Sequence, residues 1–556
     1  MYYNHIGTAN ERGFYNMQNR QKETVLYQIY PKSFCDSNGD GIGDIPGIIS
    51  KVPYLKSLGV NAVWLSPCFP SPNDDNGYDI SDYRGIAPEY GTLDDFKKLL
   101  DELHANGIRL LLDLVVNHTS DEHFWFREAR KSRGNPYRDY YIWRDPVNGR
   151  EPTDWKAAFG GSVWEYDEAT GQYYFHLFSR KQPDLNWDNP KVRQEIADMV
   201  NYWLDMGVDG FRCDVINNIS KDLEHGILGM GPHQHEYLHE LHERAFGPHG
   251  ALTIGETWGL TPEQTLAMTG SARGELTATF QFEHILLGRV GGDKFLRCEV
   301  DRKAFTDILA KWEYGLKDDG CPVLVMENHD QPRALSRFGD VRFPYESATM
   351  LAVLLYGMRG IAVIYEGQEL GLENPRFEKL SDYRDIETLN AYRDMEKDYG
   401  EAELLEMMNF GSRDNARVGM PWDNSANAGF TAGTPWISAS FDPERTVAAE
   451  EAADRSVLKF YRRFFALRQS DPVMLHGGFE LLQNENGTVL YRRKLCGDTG
   501  PCRCETGGDT RYIAVRFADT PSPLPAALPQ TASLLLGNYP DATDTLRPYE
   551  ARIYTG

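Results

Sequence analysis

Between residues 25 and 365, eight short runs of apolar and β-branched residues alternate with longer helical patterns. Repeated βα units of this kind build a parallel sheet, and eight of them predict an α/β fold with a closed (β/α)8 TIM barrel. The active site of such a barrel lies in the loops that follow the carboxyl ends of its strands. The predicted strands begin at Val25, Val60, Ile108, Val208, Leu252, Thr277, Pro322 and Gly360.

Two connections in this pattern are too long for ordinary βα loops. Residues 119–190, after the third strand, are rich in aromatic residues, Gly and Pro, which indicates an irregular domain inserted over the barrel mouth. A second insertion follows the eighth strand over about 370–450, and past about 475 the pattern alternates as in an antiparallel β-sandwich. We predict an N-terminal extension over 1–20, a barrel over 21–118 and 191–475, an inserted domain over 119–190 and a C-terminal β domain over 476–556.

The charge balance restricts the partners of the chain. Lys and Arg number 58 against 82 Asp and Glu, a formal net charge of −24, which repels phosphate backbones and anionic lipids. Nucleic acid and membranes are therefore not expected partners. No run approaches the roughly 20 apolar residues of a membrane span, and the first 20 residues lack signal-peptide features. We expect a cytoplasmic protein; the sequence leaves its oligomeric state open.

The cysteines fit a reducing compartment because most of them are scattered singly. One C-terminal cluster is formed by Cys496, Cys502 and Cys504. Its spacing resembles no standard zinc site. We interpret the cluster as a hairpin loop with incidental thiols rather than a metal centre.

Three carboxylates stand at or just after the ends of later predicted strands, namely Asp214, Glu256 and Asp330. Because all strand ends of a barrel meet at one mouth, these carboxylates are expected to converge. Arg212 lies two residues before Asp214, so both side chains point to the same face, where the arginine is expected to keep Asp214 ionised. This set suits a sugar acetal: one carboxylate attacks the anomeric carbon and a second, protonated one protonates the leaving oxygen.

Two histidines, His118 and His329, add hydrogen-bond donors to the same rim. Any one of the carboxylates alone is better explained as a solvated loop residue or a helix cap. A metal hydrolase is the chemical alternative, but no HxH or HExxH pair supplies the ligand spacing. The convergence of the whole set favours glycosidic chemistry.

The chain resembles the α-amylase family of retaining glycosidases, in the branch of oligo-1,6-glucosidases and dextran glucosidases. The resemblance runs from about Val25 to the C-terminus and rests on DLVVNH ending at His118, QPDLN at Gln182, GFRCDVIN around Asp214, Glu256 after TIG, and ENHDQPR around Asp330. It implies that Asp214 is the nucleophile, Glu256 the general acid/base, and Asp330 the carboxylate that binds sugar hydroxyls and stabilises the transition state.

The resemblance also implies a pocket for the non-reducing glucose. Asp75 and Arg417 would pair at its floor, and Tyr78 would stack on the sugar ring. Phe159 and Phe178, from the inserted domain, would line its walls. A pocket closed by such a pair accepts only a chain end.

Val215, directly after the predicted nucleophile, bears on linkage choice. In the resembling enzymes a Val here goes with α-1,6 cleavage, which implies an exo-acting glucosidase for small α-1,6-linked, and also α-1,4-linked, oligosaccharides. Alternatives on the same scaffold are a trehalose-6-phosphate hydrolase and a sucrose isomerase, but the isomerases carry an Arg-Leu-Asp-Arg-Asp loop where this chain has LLGRVGGDKFLRCEV. A non-catalytic transporter-associated relative is disfavoured because all three carboxylates are present.

The segment DSNGDGIGD places oxygen ligands at every second residue, which resembles the start of a calcium-binding EF-hand loop. The closing Glu of that motif is absent, because Gly47 occupies its position. The sequence predicts a structural Ca²⁺ site, as in the resembling glucosidases, and the alternative is an Asx-rich turn without metal. The predicted ligands are Asp36, Asn38, Asp40, the Ile42 carbonyl and Asp44.

Overall fold

A sheet of eight parallel strands forms the centre of the computed structural model, which describes residues 21–495 and 510–556. The strands are β1 (Val25–Ile29), β2 (Ala62–Leu65), β3 (Arg109–Val115), β4 (Gly210–Asp214), β5 (Leu252–Gly255), β6 (Ala278–Thr279), β7 (Val323–Leu324) and β8 (Ile361–Tyr365). Their order in the sheet is β7-β8-β1-β2-β3-β4-β5-β6. All eight predicted strands are present. The predictions for residues 1–20 and for the Cys496, Cys502 and Cys504 cluster lie outside the described residues.

The two end strands of this sheet, β6 and β7, are also its shortest, and a side-chain hydrogen bond links the segments that follow them. His284, just after β6, donates a hydrogen bond from Nε2 to the carbonyl oxygen of Val325, just after β7, at 2.9 Å. Alternate residues of the strands fill the interior with a buried apolar cluster that includes Leu26, Trp64, Leu111, Ile254, Val323 and Val363. This packing confirms the predicted (β/α)8 barrel, since inward-facing side chains fill its core.

Helices cover the outside of the barrel. The longer ones are Leu93–Ala105, Pro190–Met206, Gln234–Leu241, Pro262–Thr269, Arg302–Gly315, Pro344–Tyr356 and Val457–Ser470. Their ends follow local sequence signals. Thr92 and Asp95 form a capping box, and Gly207 ends the helix after Pro190 with a left-handed φ of 113°.

Two insertions extend from the loops at the barrel mouth. After β3, the segment 119–190 contains the helix Phe124–Ala129 and a three-stranded antiparallel sheet of Trp143–Arg144, Trp164–Asp167 and Gln172–Phe175. After β8, the helices Ile386–Met395 and Glu401–Gly411 precede a loop that returns to the mouth. These placements agree with the predicted insertions, whose boundaries remain predictions.

The C-terminal part is antiparallel, as predicted. Five of its strands form one sheet, Gly478–Glu485, Thr488–Lys494, Thr510–Arg516, Ser533–Gly537 and Ala551–Thr555, and the strands Ser522–Pro523 and Thr545–Leu546 form a second. Leu546 of the small sheet packs with Leu490 and Ala514 of the large one. Within residues 21–495 and 510–556, every helix is too short or too polar to cross a bilayer.

Candidate active site

Arg212 lies at the centre of the barrel mouth, where one guanidinium contacts three buried carboxylates. The register of β3 and β4 places it directly beside Asp113, and its Nη1 is 2.8 Å from that carboxylate. The same nitrogen is 2.6 Å from Asp214, and Nη2 is 2.5 Å from Glu256. The predicted nucleophile and the predicted acid/base are therefore held by the two arms of one side chain.

Opposing effects act on the charge of Asp214, so its ionisation by Arg212 stays a prediction. Burial raises the pKa of Asp214 well above its usual range, Arg212 opposes this, and Glu256 adds to it. Burial also raises the pKa of Asp113, against Arg212. One guanidinium cannot neutralise three buried carboxylates, and unpaired buried charge is costly. Arg212 therefore offsets part of the cost of burying these carboxylates.

Two further donors hold the carboxyl of Glu256. Val215 follows Asp214 with φ 34° and ψ 41°, a left-handed conformation that is rare for a β-branched residue, and its N–H donates to Oε2 of Glu256 at 3.2 Å. The indole of Trp258 donates from Nε1 to Oε1 at 3.1 Å. Both oxygens of Glu256 are thus fixed by neighbouring groups.

Asp330 has the opposite electrostatic environment. Burial alone would raise its pKa, but His329, Arg413 and Arg417 outweigh burial and hold the pKa well below its usual range. Its carboxylate is 3.1 Å from Nε2 of His329 and 2.9 Å from Nη2 of Arg417. Asp330 is therefore an ionised acceptor, which suits the binding of sugar hydroxyls.

The predicted pairing of Asp75 with Arg417 is wrong. The partner of Asp75 is Arg413, whose Nη2 lies 2.9 Å from Oδ1 of Asp75. Arg413 is the first residue of a short 3-10 turn, Arg413–Ala416, and its side chain lines the cavity at the barrel mouth. Arg417, at the end of the turn, is fully buried and donates to Asp330 and to the carbonyl oxygen of His329.

Most of the predicted site residues line one cavity of about 170 Å³. A cavity of about 150 Å³ holds a benzene molecule, so this one has room for about one six-membered ring. All three predicted catalytic carboxylates line it, with Asp75, Tyr78, His118, Phe159, Phe178 and Val215. Arg212, His329 and Arg417 lie behind that lining and contact its carboxylates instead.

Aromatic and imidazole rings shape the cavity walls. Tyr78 stacks on His329 with ring centroids 5.1 Å apart and an interplanar angle of 4°. Phe178 lies between His118 and Phe159, at centroid distances of 5.3 and 5.7 Å. Burial lowers the pKa of His118 to about 4, so this imidazole is neutral at physiological pH.

Six further residues line the cavity that were not among the predicted site residues: Trp258, Arg289, Lys294, Gln331, Glu387 and Arg413. Two of them could have been found by their closeness in sequence to a predicted catalytic residue, because Trp258 lies two residues after Glu256 and Gln331 follows Asp330 directly. Glu387 had no such signal, since it reaches the mouth from a helix of the second insertion.

The predicted calcium loop adopts a series of tight turns. Asp36 accepts the N–H groups of Asn38, Gly39 and Gly41, and Asp44 caps the helix Ile45–Ser50 by accepting the N–H of Gly47. Within residues 21–495 and 510–556, no group of three or more His, Cys, Asp or Glu side chains has an arrangement that could hold a metal ion. The oxygen atoms of this loop are hard ligands of the kind that Ca²⁺ prefers. The carboxylates of Asp36 and Asp44, however, accept backbone N–H groups, so the binding of Ca²⁺ stays a prediction.

Comparison with known proteins places this site in a family. Residues 28–477 match the family model of the alpha-amylase catalytic domain. The oligo-1,6-glucosidase of Parageobacillus thermoglucosidasius is 47% identical over 567 aligned positions, which cover 96% of this chain and 98% of that protein. Among solved structures, the trehalose-6-phosphate hydrolase of Bacillus licheniformis is 38% identical with a TM-score of 0.88, covering 96% of this chain and 99% of that one. The isomaltulose synthase of Klebsiella sp. LX3 is 36% identical with a TM-score of 0.89 over 96% and 99% of the two chains. The chain belongs to the alpha-amylase family.

Proposed function

We propose that the protein is a retaining, exo-acting α-glucosidase that releases glucose from the non-reducing ends of short α-1,6-linked, and also α-1,4-linked, oligosaccharides. The observation that carries this proposal is the contact of Asp214 and Glu256 with one guanidinium at a cavity the size of one sugar ring. Retaining glycosidases place their two carboxyl groups about 5 Å apart, too close for an intervening water. Two carboxyls bound to adjacent arms of Arg212 fit that requirement.

The reaction divides into two steps. Glu256 donates its proton to the glycosidic oxygen while Asp214 attacks the anomeric carbon, so a covalent glucosyl ester forms and the leaving sugar departs. Glu256, now a carboxylate, then takes a proton from water, which attacks the same carbon and releases Asp214. Asp330, ionised throughout, accepts hydrogen bonds from sugar hydroxyls.

The preference for chain ends follows from the closed side of the cavity. The ion pair of Asp75 with Arg413 is buried, since the two side chains are only 5% and 6% exposed, respectively. Gln182 donates a further hydrogen bond to Asp75. The carboxylate of Asp75 can accept hydrogen bonds from the hydroxyls of a terminal sugar, and the guanidinium of Arg413 can donate to them. The relative from Parageobacillus thermoglucosidasius, named an oligo-1,6-glucosidase, supports the α-1,6 assignment.

We expect isomaltose hydrolysis to release glucose with its α configuration retained, because two displacements at one carbon restore the original stereochemistry. Proton NMR within the first minutes, before mutarotation, measures the anomer released. Chromatography of the first products of isomaltotetraose measures exo-action, which gives glucose and isomaltotriose. Initial release of β-glucose would contradict the double displacement. Isomaltose as the first product of isomaltotetraose would contradict exo-action.

Trehalose 6-phosphate is a second candidate substrate, favoured by one observation. Arg289 lines the cavity and donates to Oε1 of Gln331 at 2.6 Å, and it forms no ion pair with a carboxylate in the part of the chain that the structure describes. Lys294, by contrast, is neutralised by Glu387 at 2.7 Å. A guanidinium without a carboxylate partner can receive a phosphate. Comparing kcat/KM for isomaltose, trehalose and trehalose 6-phosphate decides between the candidates.

We also propose that the loop from Asp36 to Asp44 binds Ca²⁺ for stability and takes no part in the reaction. A ligand that binds only the folded state raises the melting temperature, and its removal lowers it. We therefore expect Tm to fall after dialysis against EGTA and to recover with Ca²⁺, and Asp40→Ala to remove this response while activity on isomaltose at low temperature stays unchanged. A Tm that neither treatment changes would leave the loop as an Asx-rich turn.

The cytoplasmic location expected from the sequence stays a prediction.

A further inference from the structure

The carboxyl group of Glu256 has an unequal distribution of hydrogen-bond donors. Oε2 accepts two N–H groups, from Nη2 of Arg212 at 2.5 Å and from the backbone of Val215 at 3.2 Å. Oε1 accepts one, from Nε1 of Trp258 at 3.1 Å. All three partners are donors in these contacts, since guanidinium, backbone amide and indole nitrogen atoms have no acceptor capacity here.

This inequality decides which oxygen carries the proton of the acid. In a protonated carboxyl, one oxygen is a carbonyl with two acceptor sites, and the other must donate its own hydrogen. A proton on Oε2 would meet two N–H groups that are already directed at that atom. A proton on Oε1 meets one donor and leaves one direction free.

We propose that the acid proton of Glu256 lies on Oε1 and that Trp258 is a positioning residue, whose indole N–H holds this oxygen for proton transfer to the leaving sugar. The inference rests on the proposed glycosidase function. Trp258 lines the same cavity as Glu256, and its ring stacks on Phe282 with centroids 4.1 Å apart and an interplanar angle of 20°. The packing of the ring therefore fixes the direction of the N–H.

The hydrogen bond from the indole N–H to Oε1 becomes stronger during the reaction. When the Oε1–H bond breaks and the proton passes to the glycosidic oxygen, Oε1 becomes part of a carboxylate, and a donor to a carboxylate is stronger than a donor to a neutral acid. The same contact holds Oε1 in the second step, when this atom takes the proton of the attacking water. Trp258 thus favours proton release to leaving groups that need it.

Trp258→Phe tests this role because it keeps a ring that can stack on Phe282 and removes only the N–H. We expect kcat/KM to fall about tenfold with isomaltose and with aryl α-glucosides of weakly acidic phenols, the range for one lost hydrogen bond to a charged group. With strongly acidic phenols, which leave without a proton, the loss should be less than about twofold. A plot of log kcat/KM against the pKa of the phenol therefore steepens in the variant.

Trp422→Phe is the matched control, since it loses the indole hydrogen bond to the carbonyl oxygen of Phe34, away from Glu256. That variant should leave the slope of the plot unchanged. An equal loss for all leaving groups in Trp258→Phe, or no loss, would overturn the role assigned to Trp258. Failure of the wild type to hydrolyse any α-glucoside would instead overturn the proposed function.

Discussion

Replacing Asp214 by Asn is expected to lower kcat on isomaltose by several orders of magnitude, because an amide cannot form the glucosyl ester. Asp214 lies at the end of β4 and is bonded to Arg212, so the isosteric amide should leave the fold intact. Glu256→Gln should be as damaging on isomaltose, whose leaving group needs a proton, and less damaging on activated aryl glucosides. Steady-state kinetics on both substrate types measure the difference.

Azide distinguishes the two roles by stereochemistry. In Asp214→Gly, azide can occupy the vacated space and displace an activated leaving group directly, which gives a β-glucosyl azide. In Glu256→Ala, the ester on Asp214 still forms and azide attacks it from the other face, which gives an α-glucosyl azide. NMR of the isolated azides assigns both residues. The reverse pattern, or the same azide from both variants, would contradict the assignment.

The barrel could be predicted from the sequence because its signal is local. Each strand is a short apolar run such as VLYQIY at Val25, and closure of the sheet brings the ends of β4 and β5 together whatever the loops contain. The positions of Asp214 and Glu256 at the mouth follow from that geometry. Their catalytic roles are a prediction that rests on the resemblance of the motifs around them.

The partner of Asp75 could not be predicted in the same way. Arg413 and Arg417 are four residues apart in one irregular loop, and only the direction of the 3-10 turn at Arg413–Ala416 decides which guanidinium faces the cavity. No periodicity encodes that direction. Glu387 presents the same difficulty, because it reaches the site from a helix whose docking depends on the packing of the whole insertion.

The electrostatics also depend on tertiary structure. The sequence places Arg212 two residues from Asp214 but says nothing of Asp113 on the adjacent strand, whose carboxylate shares the same guanidinium. Burial raises the pKa of Asp214, Arg212 lowers it, and Asp113 and Glu256 add to the effect of burial. These contributions come from residues on, or directly after, three different strands, so the local sequence around Asp214 does not contain all of them.

The choice of linkage is expected to depend on the side chain of Val215. It is 7% exposed and lines the cavity together with Asp214 and Glu256. We therefore expect it to lie beside the departing sugar. A β-branched side chain is stiff and cannot turn aside. An α-1,6 link carries the second sugar on an extra methylene that can swing past this obstruction, whereas an α-1,4 link brings ring atoms directly against it.

We therefore expect the wild type to prefer isomaltose over maltose, and Val215→Ala to raise the maltose to isomaltose ratio of kcat/KM by about 10- to 200-fold, the range for steric discrimination by a pocket side chain. The gain should come chiefly from maltose. Ala keeps the Cβ atom and the backbone N–H that donates to Glu256, so the variant isolates the side-chain volume. Val116→Ala, a change at a buried valine outside the cavity lining, controls for general loosening and should leave the ratio unchanged. Two results would contradict the α-1,6 assignment: a wild type that already favours maltose, or a ratio that Val215→Ala leaves unchanged. The side chain of Val215 would then not govern access of the second sugar, and the protein would be a general α-glucosidase.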